Sequence, residues 1–258
     1  MATLVTVSCG SHLGVQKGEK TSTRSVTLIV SAAASLQDVL EIIAPQFHAT
    51  YPDVNLDFNF GSSGSLQRQI EQGAPADVFF SAATTQMDAL AQQGLIVPDS
   101  RQEIVENRLV LIAPNNTSNK IMHVAQLRDM TLNRFAVGEF RSVPAGQYAE
   151  QVFISLNLLG TLQPSLVFGR NVRGVLTAVA NGNAELGMVY ATDAALCDRV
   201  KVLAAAPEEA HQPITYPIAT LDRSKTPDAA QFFINFLQTE PARETFETFG
   251  FVPILPAS

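Results

Sequence analysis

The chain has 258 residues, 46% of them hydrophobic and 16% charged, with 17 basic against 24 acidic side chains and a net charge of -7. That is apolar material enough for one large or two modest packed domains, and no apolar run reaches the ~18 residues that a membrane-spanning helix needs. With this charge balance and no Lys/Arg stripe the chain is a poor nucleic-acid binder, and with no Trp and 4 Tyr it is poorly supplied with stacking platforms for carbohydrate.

In chain order, residues 1–25 stand apart. A short apolar run over residues 2–7 ends in Val7-Ser8-Cys9-Gly10 and is followed by a polar stretch to residue 25. A small residue, Cys and Gly after an apolar run resembles the end of a lipoprotein export signal, with Cys9 as the lipidated residue and the following stretch as a tether. The run is shorter than an ordinary signal core and no Lys or Arg precedes it, so a disordered tail with an incidental Cys is the other reading. Cys9 and Cys197 leave a disulfide open without arguing for one, and His12, His48, His123 and His211 form no zinc-ligand spacing.

From Val26 onward strands and helices alternate. Residues 26–30 are a β-branched run of the kind found in buried parallel strands. Leu36, Val39, Leu40, Ile43 and Phe47 follow at helical spacing, opened by Ser35. Residues 54–60 alternate as a second strand, 66–72 form a helix stopped at Gly73, 76–80 a third strand and 85–93 a third helix ended by Gly94. Residues 108–113 read as a strand that leaves this unit. A second set follows, with strands at 135–137, 166–168, 186–190 and 200–203 and helices at 148–158 and 172–180. A strand over 216–219 leads back, and helices at 227–237 and 241–249 close the chain. Repeated β-α units with short turns predict an α/β protein of two doubly wound lobes. The first lobe is split into residues 26–107 and 216–258, and the second comprises residues 108–215.

No motif asks for a catalytic role. Gly61-Ser-Ser-Gly64 is not a nucleophile elbow, because Ser65 stands where that turn requires Gly. Neither phosphate-loop nor dinucleotide glycine spacing occurs, and the Glu208-Glu209 pair reads as a solvated loop. A hydrolase assembled from distant residues stays open. Four small or hydroxyl-rich turns at strand-to-helix junctions stand out instead: Ala34-Ser35, Ser62-Ser63-Gly64, Pro144-Ala145-Gly146 and Asn171-Val172-Arg173-Gly174. Each alone is ordinary helix-cap chemistry. Four facing one point would make an anion site without any basic side chain, because the first N–H groups of a helix lack internal partners and its dipole is positive there.

Several stretches together resemble the periplasmic molybdate-binding proteins of the type II periplasmic-binding-protein fold. They are Ala32-Ala-Ala-Ser35-Leu36, Ser62-Ser63, the run from Leu66 through Gln69-Ile70-Glu71 to Gly73-Ala74-Pro75-Ala76-Asp77, and Val143-Pro-Ala145-Gly146. Val172-Arg173-Gly174, Leu186-Gly187 with Val189-Tyr190 and Asp193-Ala194, Tyr216-Pro217 and Phe249-Gly250-Phe251 complete the set. The resemblance runs from about Val26 to Val252. It implies a ligand cleft between the lobes that takes molybdate or tungstate, no other cofactor, and a monomer that serves the membrane permease of an ABC importer outside the cytoplasm. It also implies the donors: Ser35 and Ser63 by hydroxyl and backbone N–H, Ala145 and Val172 by backbone N–H, and Tyr190 by its phenol. Where the family often has Gly-Asp-Pro, this chain has Gly138-Glu139-Phe140-Arg141-Ser142, which bears on the rim of the cleft. An oxyanion-sensing regulatory module on the same fold is the alternative from another class.

Overall fold

The computed structural model describes residues 1–2, 25–118 and 120–255. Cys9 lies outside the described residues, and with it the lipidation reading and any pairing to Cys197, which is a half-buried free thiol. The first lobe opens with β1 (Val26–Ala33), a single helical turn (Ala34–Leu36) and α1 (Gln37–Thr50). β2 (Val54–Gly61), α2 (Ser63–Glu71), β3 (Val78–Phe80) and α3 (Thr84–Gln92) follow. β1 lies between β2 and β3 and is parallel to both, as β-α-β crossovers require.

β4 (Gln102–Glu106) belongs to this same sheet and β5 (Leu109–Pro114) to the next, so the chain changes sheets across Asn107 and Arg108. The second lobe continues through β6 (Phe135–Gly138), α4 (Pro144–Ser155), α5 (Leu159–Leu162), β7 (Leu166–Gly169), α6 (Val172–Ala180), β8 (Leu186–Tyr190), α7 (Ala191–Ala195) and β9 (Val200–Ala205). The chain returns through β10 (Thr215–Thr220) and ends in α8 (Pro227–Leu237), α9 (Glu240–Thr248) and β11 (Val252–Pro253).

The strands form a six-stranded sheet, β11-β4-β10-β3-β1-β2, and a five-stranded sheet, β7-β6-β8-β5-β9. Both are mixed. The strands next to the crossings break the parallel pattern, because β10 runs antiparallel to β3 and β4, and β5 antiparallel to β8 and β9.

Burial explains why the strands read as unbroken apolar runs. In β3, Val78 and Phe80 join the larger core, whereas Phe79 points to the other face and packs with Leu66, Ile70, Met87 and Leu90 of α2 and α3. Successive side chains of a strand face opposite ways, so a strand covered on both faces must be apolar throughout. On the first face Phe47 of α1 meets Phe233 and Phe236 of α8 edge-on, with ring centroids 5.4 and 5.5 Å apart. Each such buried ring contributes about 1.5–3 kcal/mol relative to exposure. In the second lobe Phe135 of β6 meets Phe153 of α4 in the same way, at 5.6 Å.

Several elements differ from the sequence reading. α4 starts at Pro144 rather than residue 148, since Pro is favoured in the first turn of a helix. β4 was not expected. Its adjacent Ile104 and Val105 are both buried but sit among Gln102, Glu103 and Glu106, a pattern with neither alternation nor length, and pairing to β10 and β11 makes it a strand.

Candidate functional site

Four helix N-termini and the end of β8 converge on one small cavity between the lobes. Its volume is ≈ 10 Å³, measured to the centre of a water-sized sphere, so only a ligand of few atoms fits. Ala33, Ala34, Ser35 and Ser62, Ser63, Ala82 line it from the first lobe. Val143, Pro144, Ala145 and Asn171, Val172, Tyr190 line it from the second. All five donor positions named from the sequence are in this wall, each no more than 4% exposed.

The local sequence puts them there. Ser35 sits in the turn that precedes α1, and Ser63 is the first residue of α2 after its cap Ser62, whose hydroxyl accepts the Ser65 N–H at 3.4 Å. Ala145 follows Pro144 in the first turn of α4, and Val172 opens α6 behind Asn171, whose carbonyl Oδ1 accepts the Gly174 N–H at 2.9 Å. Gly146 lets α4 press against β6, where a Cβ would lie 2.2 Å from the Gly138 carbonyl oxygen. The uncompensated N–H groups and positive dipole ends of these helices supply the polarity of the cavity. No Lys or Arg is among its lining residues.

Each hydroxyl group has a partner within hydrogen-bond reach. Ser63 Oγ accepts the Ala82 N–H at 2.9 Å, which leaves its own proton to point elsewhere. Ser35 Oγ lies 3.0 Å from the Tyr216 phenol oxygen. The Tyr190 phenol donates to the Ala82 carbonyl across the cleft at 3.3 Å, a long bond. Burial, with Tyr216, Tyr148 and Asp193 nearby, pushes the Tyr190 phenol well above its ordinary range, so it stays protonated. A wall that combines helix N-termini with protonated hydroxyls can bind an anion that only accepts hydrogen bonds.

The model of a family described as bacterial extracellular solute-binding protein matches residues 28–252. The chain belongs to this family. It is 36% identical over 250 residues to a putative ABC transporter substrate-binding lipoprotein of Bacillus subtilis, covering 97% of this chain and 94% of the relative. It is 37% identical over 228 residues to the molybdate-binding protein of Escherichia coli, with coverage of 87% and 88%. Among solved structures it is similar to the substrate-binding domain of a putative molybdenum ABC transporter from Clostridium difficile. That match has a TM-score of 0.69 and 42% identity, and it covers 89% of this chain and 100% of that one.

Around the cavity of this solute-binding protein the lobes touch directly. The Gly64 N–H donates to the Ser142 carbonyl at 2.9 Å, and Gln86 Nε2 to Gln147 Oε1 at 3.1 Å. Ser142 belongs to the rim loop that departs from the family pattern. There Glu139 accepts the Ser142 hydroxyl at 2.7 Å and the Arg141 N–H at 3.1 Å. Burial pushes Glu139 up, but these hydrogen bonds and the Arg141 charge outweigh it and hold the carboxyl below its usual range. Glu139 therefore braces the loop that carries Ser142.

Arg173, next to Val172, reaches Asp38 on α1 of the opposite lobe and also Asp193 of α7. Its Nε lies 2.6 Å from Asp193 Oδ1, close enough for an ion pair but without hydrogen-bond alignment. Asp193 is fully buried, and burial pushes its carboxyl up to about 7 in spite of the Arg173 charge. Sequence reasoning singled out neither this network nor the partners of Ser35. Asp193 and Tyr216 stand in the stretches that match the family, whereas nothing marked Asn107. Among the described residues no group of three or more His, Cys, Asp and Glu could hold a metal ion.

Proposed function

We propose that this protein captures molybdate or tungstate in the interlobe cavity and delivers it to the membrane permease of an ABC importer. The observation that carries this reading is the convergence of four helix N-termini and two serine hydroxyls on a cavity lined by no basic side chain. Ser35, Ser63, Ala145 and Val172 donate to the oxyanion, and Tyr190 turns its proton from the Ala82 carbonyl to the ligand. Fully deprotonated tetrahedral anions accept at every oxygen. Hydrogen phosphate keeps one proton, which would be left without an acceptor in a desolvated wall of donors, at a cost of about 1–3 kcal/mol. Sulfate has the right protonation state and differs chiefly in being smaller, so the size of the pocket has to discriminate against it. Dipoles rather than Lys/Arg also suit a protein of net charge -7.

The protein works as a monomeric binding protein, not an enzyme. Its first lobe is residues 26–107 and 216–258 and its second residues 108–215. Ligand clasped by both lobes stabilises the closed form that the permease reads. Export leaves the chain outside the cytoplasm, tethered to lipid through Cys9.

Thermal unfolding against an oxyanion panel tests the ligand. Molybdate or tungstate at ~100 times its dissociation constant adds about 2.7 kcal/mol of stability and raises the melting temperature. Phosphate, nitrate and perchlorate leave it unchanged. Equal stabilisation by phosphate would sink the all-donor site. Fractionation of cells tests the tether: Cys9→Ala moves the protein from membranes to the soluble fraction, and unchanged partitioning rules the anchor out.

A further inference from the structure

The bonds behind Ser35 have a direction, and it can be read from one amide. Asn107 lies where the chain passes from β4 to β5. Its Oδ1 accepts the Arg108 N–H at 2.8 Å, which settles the orientation of the amide, since an amide nitrogen there could not accept. Its Nδ2 therefore faces Thr192 Oγ1 at 2.9 Å and the Tyr216 phenol oxygen at 3.2 Å, and it donates to both. Asn107 thus occupies one acceptor position of the phenol oxygen, and Ser35 Oγ at 3.0 Å is within reach of the one proton that Tyr216 has to give. Tyr216 is 0% exposed, and burial, reinforced by Asp193, keeps its phenol protonated well above the ordinary range. The Tyr190 proton is engaged by the Ala82 carbonyl.

In that arrangement Ser35 Oγ accepts from behind, which frees its own proton for the cavity it lines. The backbone does the same for Ser63, whose Oγ accepts the Ala82 N–H. We infer that Asn107 and Tyr216 are positioning residues that orient the Ser35 hydroxyl as a donor toward the ligand, so that the cavity selects fully deprotonated oxyanions over protonated ones. This rests on the anion-binding reading above and adds the residues that give it selectivity. Without the Tyr216 hydroxyl, Ser35 can rotate and offer a lone pair, which accommodates the proton of hydrogen phosphate.

The test is calorimetric titration of molybdate and of phosphate, at a pH where both are dianions, into wild type, Ser35→Ala, Tyr216→Phe and the double variant. Tyr216→Phe weakens molybdate binding about tenfold, the scale of one hydrogen bond to a charged group. In the Ser35→Ala background it adds nothing further, because the two residues act through one hydroxyl. It also narrows the preference for molybdate over phosphate, which a merely structural role would not do. Asn107→Asp is a second route should Tyr216→Phe fold poorly. Its new carboxylate accepts from Tyr216 and reverses the chain, and because both probes are dianions the added charge cancels in their ratio. Additive losses in the double variant, or a molybdate-to-phosphate ratio unchanged in Tyr216→Phe and Asn107→Asp, would overturn the inference while the proposed function stood. A wild-type protein with no affinity for molybdate would overturn the proposed function and this inference together.

Discussion

Ser63 and Val172 each open a helix at the cavity, yet they make opposite demands on substitution. The contribution of Ser63 includes a hydroxyl, so Ser63→Ala deletes a donor to a dianion and costs roughly 1.5–3 kcal/mol of binding, or about 10- to 150-fold in the dissociation constant. The same change leaves the buried Ala82 N–H without its acceptor, so the ligand-free protein also melts at a lower temperature. Val172 offers its backbone, which survives in Val172→Ala, and its affinity changes far less although the side chain is buried. Titration of molybdate into both variants decides the point. If Val172→Ala lost more affinity than Ser63→Ala, the division between hydroxyl and backbone donors would be wrong. Val172 and Ala145 have chemically mute side chains, and only the likeness of the surrounding motifs could single them out from sequence.

At the scale of elements, α2 and the loop after β6 meet where Gly64 presses on Ser142. A Cβ on Gly64 would lie 2.7 Å from both the Cα and the carbonyl oxygen of Ser142, closer than such atoms approach. Within α2 itself alanine is the better helix former by about 1 kcal/mol. Gly64→Ala therefore leaves the first lobe sound but holds the lobes apart, an overpacking cost of about 1–3 kcal/mol that falls on the closed form. Molybdate affinity drops about 5- to 150-fold, and small-angle scattering shows less compaction on ligand addition than in wild type. Full compaction with unchanged affinity would show that this contact does not govern closure. The helix starts that build the site were legible because caps, Pro in the first turn and Ser/Gly turns act locally. β4 and the short α5, α7 and β11 were not, since segments of two to five residues carry too little periodicity and owe their form to neighbours distant in sequence.

Across the whole molecule, Arg173 ties the second lobe to Asp38 of the first while holding buried Asp193 on its other side. Asp193 is raised from 3.8 to about 7, first by burial and against the Arg173 charge. Between those values the folded protein keeps a proton that the unfolded chain has released. Stability therefore falls as pH rises through this window and levels off above it. Glu139 is lowered and acts in the opposite sense, so the comparison must be with a variant that removes Asp193 alone. In Asp193→Asn the decline from about pH 4 to about pH 7 is lost, and the difference in melting temperature between wild type and variant changes steadily across that range. Parallel pH profiles for the two proteins would contradict the assignment.

The sequence by itself determined the α/β architecture, the order of most elements, the strand-to-helix turns at the site and the class of ligand that the turns and their family likeness imply. These follow from hydrophobic period and turn chemistry, which operate over a few residues. Only the tertiary structure decided which groups the hydroxyls meet. Ser35 and Tyr216 are 181 positions apart, Asn107 and Tyr216 109, and Tyr190 and Ala82 108. The sense of each bond depends on which lone pair its distant neighbour has already filled, and no local pattern records that.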